Sequence, residues 1–472
     1  MTKKSKATRV GLCLAVVTSA YCVSLGEDWP RFRGLNGTGV STSRGLPAEF
    51  GPTKNLLWKI DAANGSSSPI ISHGMLFFTS FADEQRTLHC VDAATGKERW
   101  TQSVKKVRQE NATPPNGPAT PTPVTDGTAV FVLYPDVGLL CYTMEGKEKW
   151  RKEIEPFHSM HGIASSLMTA GNVVILVADQ LSGSYIQAFY ADTGKVAWRA
   201  DRADGLTGGY STPSVYRPKN GPERLIVSGP LEVVAYDIAT GKRLWWISGV
   251  TNCPISVPVI WRDRVFVCEE LGEPIPFSMF APFDKNKDGK ISIEEVKSNI
   301  PVKRLIERID SGWGNHKGEI GAAEWDKAFG SYVNKGGLVA LDLGGSGDVS
   351  RTHVRWSRGK SIPTIPSALV YEDLIYVIKD GGIVSTFEAD TGKLVKQARL
   401  QQGGKQFYVS PVAADGLIYL LDIEGKLMVV KAGRDWKQLR TIDLGEHCFA
   451  TPAICDGRLY IRTSKSLFCF GA

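Results

Sequence analysis

The sequence lacks long hydrophobic runs and carries little net charge, and each absence excludes a class of protein. Beyond residue 26 no stretch approaches the 18 consecutive apolar residues that indicate a membrane-spanning helix. The formal charge is +7, and it falls to +3 when the four cations before Glu27 are set aside. A charge that small argues against a nucleic acid or another polyanion as partner. The oligomeric state is left open.

The first 26 residues have the pattern of a targeting segment. The cations Lys3, Lys4, Lys6 and Arg9 precede an apolar run from Val10 to Ala20. That order predicts a secretory signal peptide over residues 1–26, and therefore an exported protein of the periplasm or the exterior. Cys22 raises the alternative of a lipoprotein anchor. We do not favour it, because Tyr21 stands where a small residue is needed before a lipidated cysteine.

Cysteines are too few and too regularly placed for a disulfide scaffold. Of the nine, Cys90, Cys141 and Cys469 occupy matching positions in repeated apolar phrases. A small, buried, apolar side chain suits such positions. We therefore expect buried thiols, with Cys448 and Cys455 as the candidate disulfide of an oxidising compartment.

A phrase of Ser or Thr, then Pro, then two apolar runs recurs along the chain. The proline column is Pro69, Pro123, Pro213, Pro258, Pro366, Pro411 and Pro452, with Ser166 in the third place. Most intervals are about 45 residues, and one is longer by about 63. A period of this length indicates a repeat architecture, and the long interval indicates an insertion in the fifth repeat.

The second half of a typical repeat carries a Thr-Gly-Lys turn followed by Trp, as in Thr95-Gly96-Lys97 to Trp100 and Thr240-Gly241-Lys242 to Trp245. Glycine supplies the positive φ that a tight hairpin turn requires, so each repeat is predicted to form four antiparallel strands. Such repeats predict an all-β fold, an eight-bladed β-propeller. The last repeat stops after three strands. We expect the strand phrase at residues 55–60 to supply its fourth.

The insertion contains a twelve-residue phrase typical of an EF-hand calcium loop. Its predicted ligands are Asp284, Asn286, Asp288, Lys290, Ser292 and Glu295. Lys290 would contribute its backbone carbonyl, Ser292 a bound water, and Glu295 a bidentate carboxylate. Gly289 allows the sharp bend in the loop. Calcium is therefore the expected cofactor, and the alternative is a polar surface turn.

A second loop of the same kind follows an amphipathic helix that begins after Pro301. Ile320 and Glu324 match the second half of an EF loop, but registering on Ile320 puts Trp313 at the first ligand position and Lys317 at the fifth. Starting the loop from Asp310 instead requires three extra residues before Glu324. We expect a structural mate that holds little or no calcium. Because the insertion joins the second and third strands of its blade, we hypothesise that it overhangs the central opening.

Several phrases resemble a known repeat family. They are VDAATGKERW, FYADTGKVAW, AYDIATGKRLWW and the opening Asp28-Trp29-Pro30-Arg31-Phe32-Arg33-Gly34. They are similar to the PQQ-binding-like β-propeller repeat, found in quinoprotein alcohol dehydrogenases and in an outer-membrane assembly scaffold lipoprotein. The resemblance implies a propeller over residues 27–270 and 335–472, with the insertion at 271–334. It specifies the blade and hardly the chemistry.

The chain lacks the adjacent Cys-Cys pair and the Cys-x-x-Cys-His of a working quinoprotein. PQQ is therefore not an expected cofactor. The residues expected to rim the funnel are Asn116, His161, Tyr210, Cys253, Thr364, Tyr408 and His447. His158 and His161 suggest acid–base or metal chemistry, although paired loop histidines are more often hydrogen-bonded decoration. The leading hypothesis is a non-enzymatic, calcium-binding scaffold with a protein or glycan partner. A PQQ-dependent oxidoreductase and a glycan-binding propeller are the alternatives.

Overall fold

The computed structural model describes residues 28–204, 208–270, 272 and 276–472. The predicted signal peptide, with Cys13 and Cys22, lies outside the described residues. Eight sheets, each containing four antiparallel strands, make an eight-bladed β-propeller, as the repeats predict, and the sheet of blade 4 has a fifth strand added at its edge. In blades 1 to 7 the chain runs from the innermost strand outwards. The fifth blade carries a small helical segment between its second and third strands.

The strands of blades 1 to 4 follow β1 (Leu56–Asp61). They are β2 (Ile70–Ser72), β3 (Met75–Ala82), β4 (Gln85–Asp92), β5 (Glu98–Lys105), β6 (Val124–Thr125), β7 (Ala129–Tyr134), β8 (Gly138–Thr143), β9 (Glu148–Lys152), β10 (Met168–Ala170), β11 (Val173–Ala178), β12 (Tyr185–Tyr190), β13 (Val196–Asp201), β14 (Ser214–Tyr216), β15 (Arg224–Gly229), β16 (Glu232–Asp237) and β17 (Arg243–Ser248). Each group of four from β2 onwards forms one blade.

Blade 5 comprises β18 (Val259–Trp261), β19 (Arg264–Cys268), β22 (Leu338–Asp342) and β24 (Val354–Arg358). Its inserted segment contains a 3₁₀ helix (Phe277–Phe283), β20 (Lys290–Ser292), α1 (Ile300–Trp313), β21 (Glu319–Gly321) and α2 (Ala322–Lys335). A short strand, β23 (Gly347–Asp348), pairs in parallel with β17 of blade 4. Among the described residues, no helix has both the length and the apolar character needed to cross a membrane.

The remaining blades follow the same order. Their strands are β25 (Leu369–Tyr371), β26 (Leu374–Lys379), β27 (Ile383–Glu388), β28 (Leu394–Arg399), β29 (Val412–Ala414), β30 (Leu417–Leu421), β31 (Lys426–Lys431), β32 (Lys437–Asp443), β33 (Ala453–Cys455), β34 (Arg458–Arg462) and β35 (Ser466–Phe470). In blade 8 the outermost strand is β1, which pairs antiparallel with β35.

The core lies between neighbouring blades rather than within one sheet. β8, the third strand of blade 2, is buried at five of its six positions because its two faces pack on blades 1 and 3. The outermost strand β5, by contrast, alternates between exposed and half-buried residues. Fully buried strands are continuous apolar runs, and half-buried strands alternate. The blades thus take their stability from face-to-face packing around the axis.

A ring of hydroxyl groups ties the innermost strands together. Its members, which we call the hydroxyl belt, are Ser68, Thr122, Ser166, Thr212, Ser367, Ser410 and Thr451. Each side-chain oxygen accepts a hydrogen bond from the backbone N–H at the matching position of a neighbouring blade, at 2.9–3.3 Å. In blade 5 the position belongs to Val257, which has no hydroxyl group.

The belt corrects the proline column. The column residue follows the belt residue and precedes the innermost strand, so its places in blades 3 and 6 belong to Leu167 and Ala368. The expectation that Ser166 and Pro366 hold those places was wrong by one and by two residues. The interaction that repeats in the blades is the hydrogen bond from a backbone N–H to a belt hydroxyl. Where proline follows the belt residue, it only restricts the backbone at that position.

The Trp and Gly positions form contacts between blades. Trp198, on the outermost strand of blade 3, donates its indole N–H to the Ile238 carbonyl of blade 4 at 2.8 Å. A Cβ at Gly241 would lie 2.3 Å from the Trp198 ring, so only glycine fits there. The same contact joins Trp356 of blade 5 to Gly392 of blade 6. Blade 5 thus supplies the Trp of this contact and blade 6 the Gly, although each of their repeats has only one half of the motif.

The segment of residues 28–45 crosses the end of the ring that lies opposite the starts of the innermost strands. Trp29 exchanges two backbone hydrogen bonds with Ile71 of blade 1. Asn36 bonds to Val215 of blade 4, and Val40 pairs with Ala413 of blade 7. The segment thus contacts three well-separated blades at one end of the axis.

The cysteines are largely buried thiols. Six of the seven described cysteines are buried, and Cys253 is half-buried. Cys448 and Cys455 are both reduced in the structure, so the candidate disulfide between them is not formed.

Candidate functional site

The other end of the axis opens into a cavity of about 380 Å³, which we call the funnel. It is lined by Phe32, Ser66, Ser68, Thr113, Pro114, Pro115, Asn116, Thr120, Thr122, His161, Ala164, Ser166, Tyr210, Thr212, Ile255, Thr364, Ile365, Tyr408, Phe449 and Thr451. Five belt residues are among them. Because each belt residue lies two residues before an innermost strand, the repeat places a hydroxyl at the same depth in successive blades.

Five of the seven residues predicted to rim the funnel line it: Asn116, His161, Tyr210, Thr364 and Tyr408. Cys253 and His447 are not among the lining residues. The backbone N–H of Cys253 donates to the Glu269 carboxylate at 2.8 Å, and the His447 ring bonds to the Ile423 carbonyl at 3.0 Å. Both contacts lie in the connections that surround the opening.

Two aromatic lining residues, Phe449 and Phe32, were not predicted from the sequence. Phe449 lies two residues after His447, and its ring centroid is 6.1 Å from that of Tyr408. Phe32 belongs to the segment at the opposite end of the axis and reaches the funnel from below. Phe449 was detectable from its repeat position, which matches that of Tyr408. Phe32 was not, because nothing in its local sequence shows that the segment reaches the axis.

The funnel lining is aromatic and hydroxyl-rich, and no Asp, Glu, Lys or Arg is among the described residues that form it. Its histidine, His161, lies 6.0 Å from Tyr210 between ring centroids and shares a hydrogen bond of 3.0 Å with the Thr113 hydroxyl. Burial raises the pKa of Tyr210 above its ordinary value. Tyr210 is therefore a neutral phenol at pH 7. The lining suits an uncharged polar ligand that stacks on aromatic rings.

The two histidines of the sequence hypothesis are not joined in one catalytic arrangement. His158 shares a hydrogen bond of 3.0 Å with the Ser182 hydroxyl, whereas His161 contacts Thr113. Neither contact is with a carboxylate that could orient the imidazole as a base. Neither imidazole is therefore paired with a carboxylate through these contacts.

The first loop of the insertion, residues 284–295, is organised by its acidic side chains. The Glu295 carboxylate accepts hydrogen bonds from the backbone N–H of Ser292, from its hydroxyl, and from the backbone N–H of Lys285, each at 2.8 Å. The bonds from Ser292 and Lys285 lower the pKa of Glu295 to about 2. Asp284 accepts from Gly289, whose φ of +81° makes the predicted bend.

The predicted ligands lie on one loop, in which Oδ1 of Asp284 and Oδ1 of Asn286 both accept from the backbone N–H of Asp288, at 3.2 and 3.0 Å. Within the ranges that the structure covers, no group of three or more His, Cys, Asp or Glu side chains forms a metal cluster. A further bond of this kind runs from the backbone N–H of Lys290 to Oδ1 of Asp288 at 2.8 Å. The donor set remains chemically suited to Ca²⁺, which prefers carboxylate and carbonyl oxygens.

A two-stranded sheet joins the two loops, with Ile291 of β20 opposite Ile320 of β21. In the second loop, the Asp310 carboxylate accepts hydrogen bonds from the backbone N–H of Asn315, His316 and Gly318 at 2.8–3.0 Å. Asp310 is 5% exposed. One carboxylate thus holds the second loop together through the backbone.

The insertion lies on the funnel end of the propeller, over blades 3 and 4. Arg304 of α1 forms an ion pair of 2.7 Å with Asp204, and Arg308 donates to the Asp204 carbonyl at 3.1 Å. Leu231 of blade 4 packs into the apolar core of the insertion. None of the described insertion residues is among those lining the funnel. The hypothesis that the insertion overhangs the opening is not supported, because the α1 arginines hold it against neighbouring blades.

The comparisons with known proteins agree with the fold. A family model described as "Outer membrane protein assembly factor BamB" matches residues 48–116 and 85–273. A comparison with curated proteins gave no match.

Three similar solved structures share the architecture. BamB from Moraxella catarrhalis has a TM-score of 0.55 at 11% identity, covering 88% of this chain and 97% of its own. A europium-containing methanol dehydrogenase has a TM-score of 0.56 at 11% identity, covering 94% and 98%. Quinohemoprotein alcohol dehydrogenase from Comamonas testosteroni has a TM-score of 0.55 at 12% identity, covering 94% and 81%. Together these matches support a PQQ-like β-propeller.

Proposed function

We propose that this protein is an exported, calcium-binding β-propeller that acts as a binding or assembly scaffold for a protein or glycan partner. The observation that carries the proposal is the funnel lining, which joins aromatic rings and hydroxyl groups without an acid–base set or a charged side chain. Such a surface recognises peptide or sugar groups through stacking and neutral hydrogen bonds. The match to an outer membrane assembly factor supports a protein partner and a location in the cell envelope.

The proposal also covers two features of the architecture, the insertion and the closure of the ring. The insertion is an EF-hand pair in which the first loop binds Ca²⁺ and the second is a structural mate. β1 closes the ring by completing blade 8. In support, β20 pairs with β21 as the two loops of an EF-hand pair would, and the acidic side chains of the first loop have the predicted spacing.

Partner binding is tested by capture from a cell-envelope extract on immobilised protein, with the bound species identified by mass spectrometry. Tyr408→Ala removes an aromatic ring of the funnel, and Tyr190→Ala removes an exposed ring from the third strand of blade 3. We expect the first substitution to reduce capture at least about tenfold, since aromatic anchors dominate binding sites. The second should leave it unchanged. Equal capture by both variants would place the binding surface outside the funnel.

Calcium binding is tested by calorimetric titration of the protein and of two matched variants. The wild type should bind one Ca²⁺. Glu295→Gln removes the bidentate ligand and should weaken binding at least about tenfold, whereas Glu324→Gln, in the second loop, should leave the affinity unchanged. An unresponsive wild type would exclude a calcium loop. A second bound ion that Glu324→Gln removes would show that both loops bind.

A PQQ-dependent oxidoreductase is the second candidate, favoured by the fold shared with methanol and alcohol dehydrogenases. The funnel lining offers no arginine or lysine for the carboxylates of the quinone, and no carboxylate as a base. Dye reduction that depends on both PQQ and Ca²⁺ would favour the oxidoreductase. With no such activity, the scaffold remains the better interpretation.

A further inference from the structure

Two arginines are buried at the closed end of the axis without an acidic partner. Arg31 is 4% exposed and Arg33 is 0% exposed, and both belong to the segment of residues 28–45. Their hydrogen bonds go to backbone carbonyls alone. Arg31 donates through Nη2 to Pro213 at 2.7 Å, and Arg33 donates through Nη2 to Ala368 at 2.8 Å. The two charges therefore enter the interior of the ring unneutralised by a carboxylate hydrogen bond.

The carbonyls that Arg31 and Arg33 reach place their guanidinium groups beside two of the innermost strands that surround the axis. Pro213 and Ala368 each precede an innermost strand, in blades 4 and 6, and each directly follows a belt residue. The two guanidinium groups thus lie at the level just below the hydroxyl belt. Phe32, the residue between them, faces the funnel. The two arginines and the funnel are therefore on opposite sides of the hydroxyl belt.

Three nitrogen atoms of these arginines have no hydrogen-bond partner among the described residues: Nε and Nη1 of Arg31, and Nη1 of Arg33. Burying a charged donor without an acceptor destabilises the folded state, and these arginines do not lose their charge by deprotonation at neutral pH. Burial lowers the pKa of Arg31 to about 10 and that of Arg33 to about 9, and the positive charge of Arg31 adds to the second shift. Both groups therefore stay protonated at pH 7.

The backbone is shaped to admit these side chains. Gly39, at a φ of +74°, comes so close to Arg33 that a Cβ there would lie 2.9 Å from Nη2. Gly37, at a φ of +71°, is tight against the inner strands instead, since a Cβ there would lie 2.9 Å from Cγ1 of Val257. Arg33 also donates from Nε to the Gly37 carbonyl at 3.0 Å, which fixes the plane of its guanidinium group. The unpartnered Nη1 of Arg33 is therefore held in place.

We propose that Arg31 and Arg33 bind one small inorganic anion, a halide, on the propeller axis. The anion accepts from the unpartnered N–H groups and offsets the two buried charges. It thereby fastens the segment of residues 28–45 across the ring. The site is separate from the funnel, so its test is independent of any funnel ligand. A monatomic anion accepts from N–H groups in any direction, and gluconate, a much larger organic anion, serves as the comparison ion.

Crystals of the wild-type protein soaked in bromide test the site directly. We expect an anomalous peak within about 3.5 Å of Nη1 of both Arg31 and Arg33, since bromide scatters anomalously and replaces chloride. A well-ordered water without anomalous signal at that position would overturn the proposal. This measurement needs no variant, so it does not depend on how well a substituted protein folds.

Thermal unfolding provides the solution test, with sodium chloride exchanged for sodium gluconate at constant ionic strength. The wild-type Tm should rise by about 1 °C for each tenfold increase in halide above the dissociation constant, because the anion binds the folded state alone. Arg31→Met together with Arg33→Met should abolish the response. Arg217→Met, which removes an exposed arginine, should retain it. An identical chloride response in all three proteins would contradict the proposal.

Discussion

The propeller and the insertion are held together in different ways. The propeller repeats a few contacts around a ring: the hydroxyl belt and the Trp–Gly contacts. The insertion has one apolar core, built around Trp325 and Ile306, and is anchored by arginines to blades other than its own. Repetition spreads a local defect through shared interfaces, whereas a tethered unit keeps it local. Substitutions in the propeller should therefore change global stability, and substitutions at the anchor should change the insertion alone.

The largest effect is expected from Gly241→Ala in the propeller. The added methyl would lie 2.3 Å from the Trp198 ring at a φ of +71°, so both overpacking and backbone strain oppose it. We expect a loss of about 3 kcal/mol in the free energy of unfolding. Denaturant unfolding followed by far-UV circular dichroism measures this loss.

Gly416→Ala is the matched control for that substitution. Gly416 has a φ of +72°, and a Cβ there would meet no atom within 4 Å. It should lose about 1 kcal/mol, which is the cost of backbone strain alone. Equal losses in the two variants would show that the Trp contact between blades contributes nothing.

The second prediction concerns His89, whose ring stacks on Phe78 at 4.6 Å between centroids. Burial, and then the positive charge of Arg462, lower the pKa of His89 from 6.5 to about 4. Between those values the unfolded chain binds a proton that the folded chain does not, so stability falls as the pH falls from about 6.5 to 4. The expected contribution is about 2 kcal/mol.

The pH effect is measured as the difference between the wild type and His89→Gln in urea unfolding at pH 4 to 7. The variant should lose less stability on acidification, because other groups titrate equally in both proteins. His447→Gln, at an exposed position, should follow the wild type. A wild-type slope in His89→Gln would place the acid sensitivity elsewhere, for example in the insertion.

The smallest effect is expected at the anchor of the insertion. The Arg304 side chain is 45% exposed, so its pair with Asp204 is worth less than about 1 kcal/mol. Arg304→Met should reduce the hydrogen-exchange protection of α1 a few-fold and leave the Tm of the propeller unchanged. Arg308→Met, which removes the bond to the Asp204 carbonyl, should expose α1 further. Loss of protection in the innermost strands would break the contrast between the two regions.

The sequence predicted the repeated part of the fold better than the unique parts. Eight blades follow from the spacing of turns and tryptophans, because each repeat records the same contact. Register was less certain: the proline marks the strand start in most blades, but Leu167 and Ala368 take its place in two. The Trp of one repeat contacts the Gly of the next repeat. The sequence motif takes its Gly and its Trp from the same repeat, so it separates the two residues that are in contact. The repeats of Trp356 and Gly392 each lack half of the motif, yet the two residues form the same contact as in the other blades.

The site divides in the same way. Five funnel residues were predictable because the repeat fixes where inner strands begin. Phe32 and the placement of the insertion were not, since both depend on contacts between distant parts of the chain. Arg308, for example, reaches a carbonyl 104 residues away in sequence. Calcium ligation by the first loop stays a prediction from spacing, which the titration of Glu295→Gln addresses.

The pairing of β1 with β35 has a consequence for how the protein is made. The two strands lie about 410 residues apart in sequence. At about 5–20 residues per second, β1 leaves the ribosome roughly 20–80 s before its partner is synthesised. Until then β35, the strand with which β1 pairs, has not been made. Trp58 of β1 can contact Gly96 of blade 1, but β1 cannot join its own sheet. A nonsense mutation that removes only the last strand would leave β1 without a partner and blade 8 with an open edge, the kind of surface on which copies of a chain exchange strands.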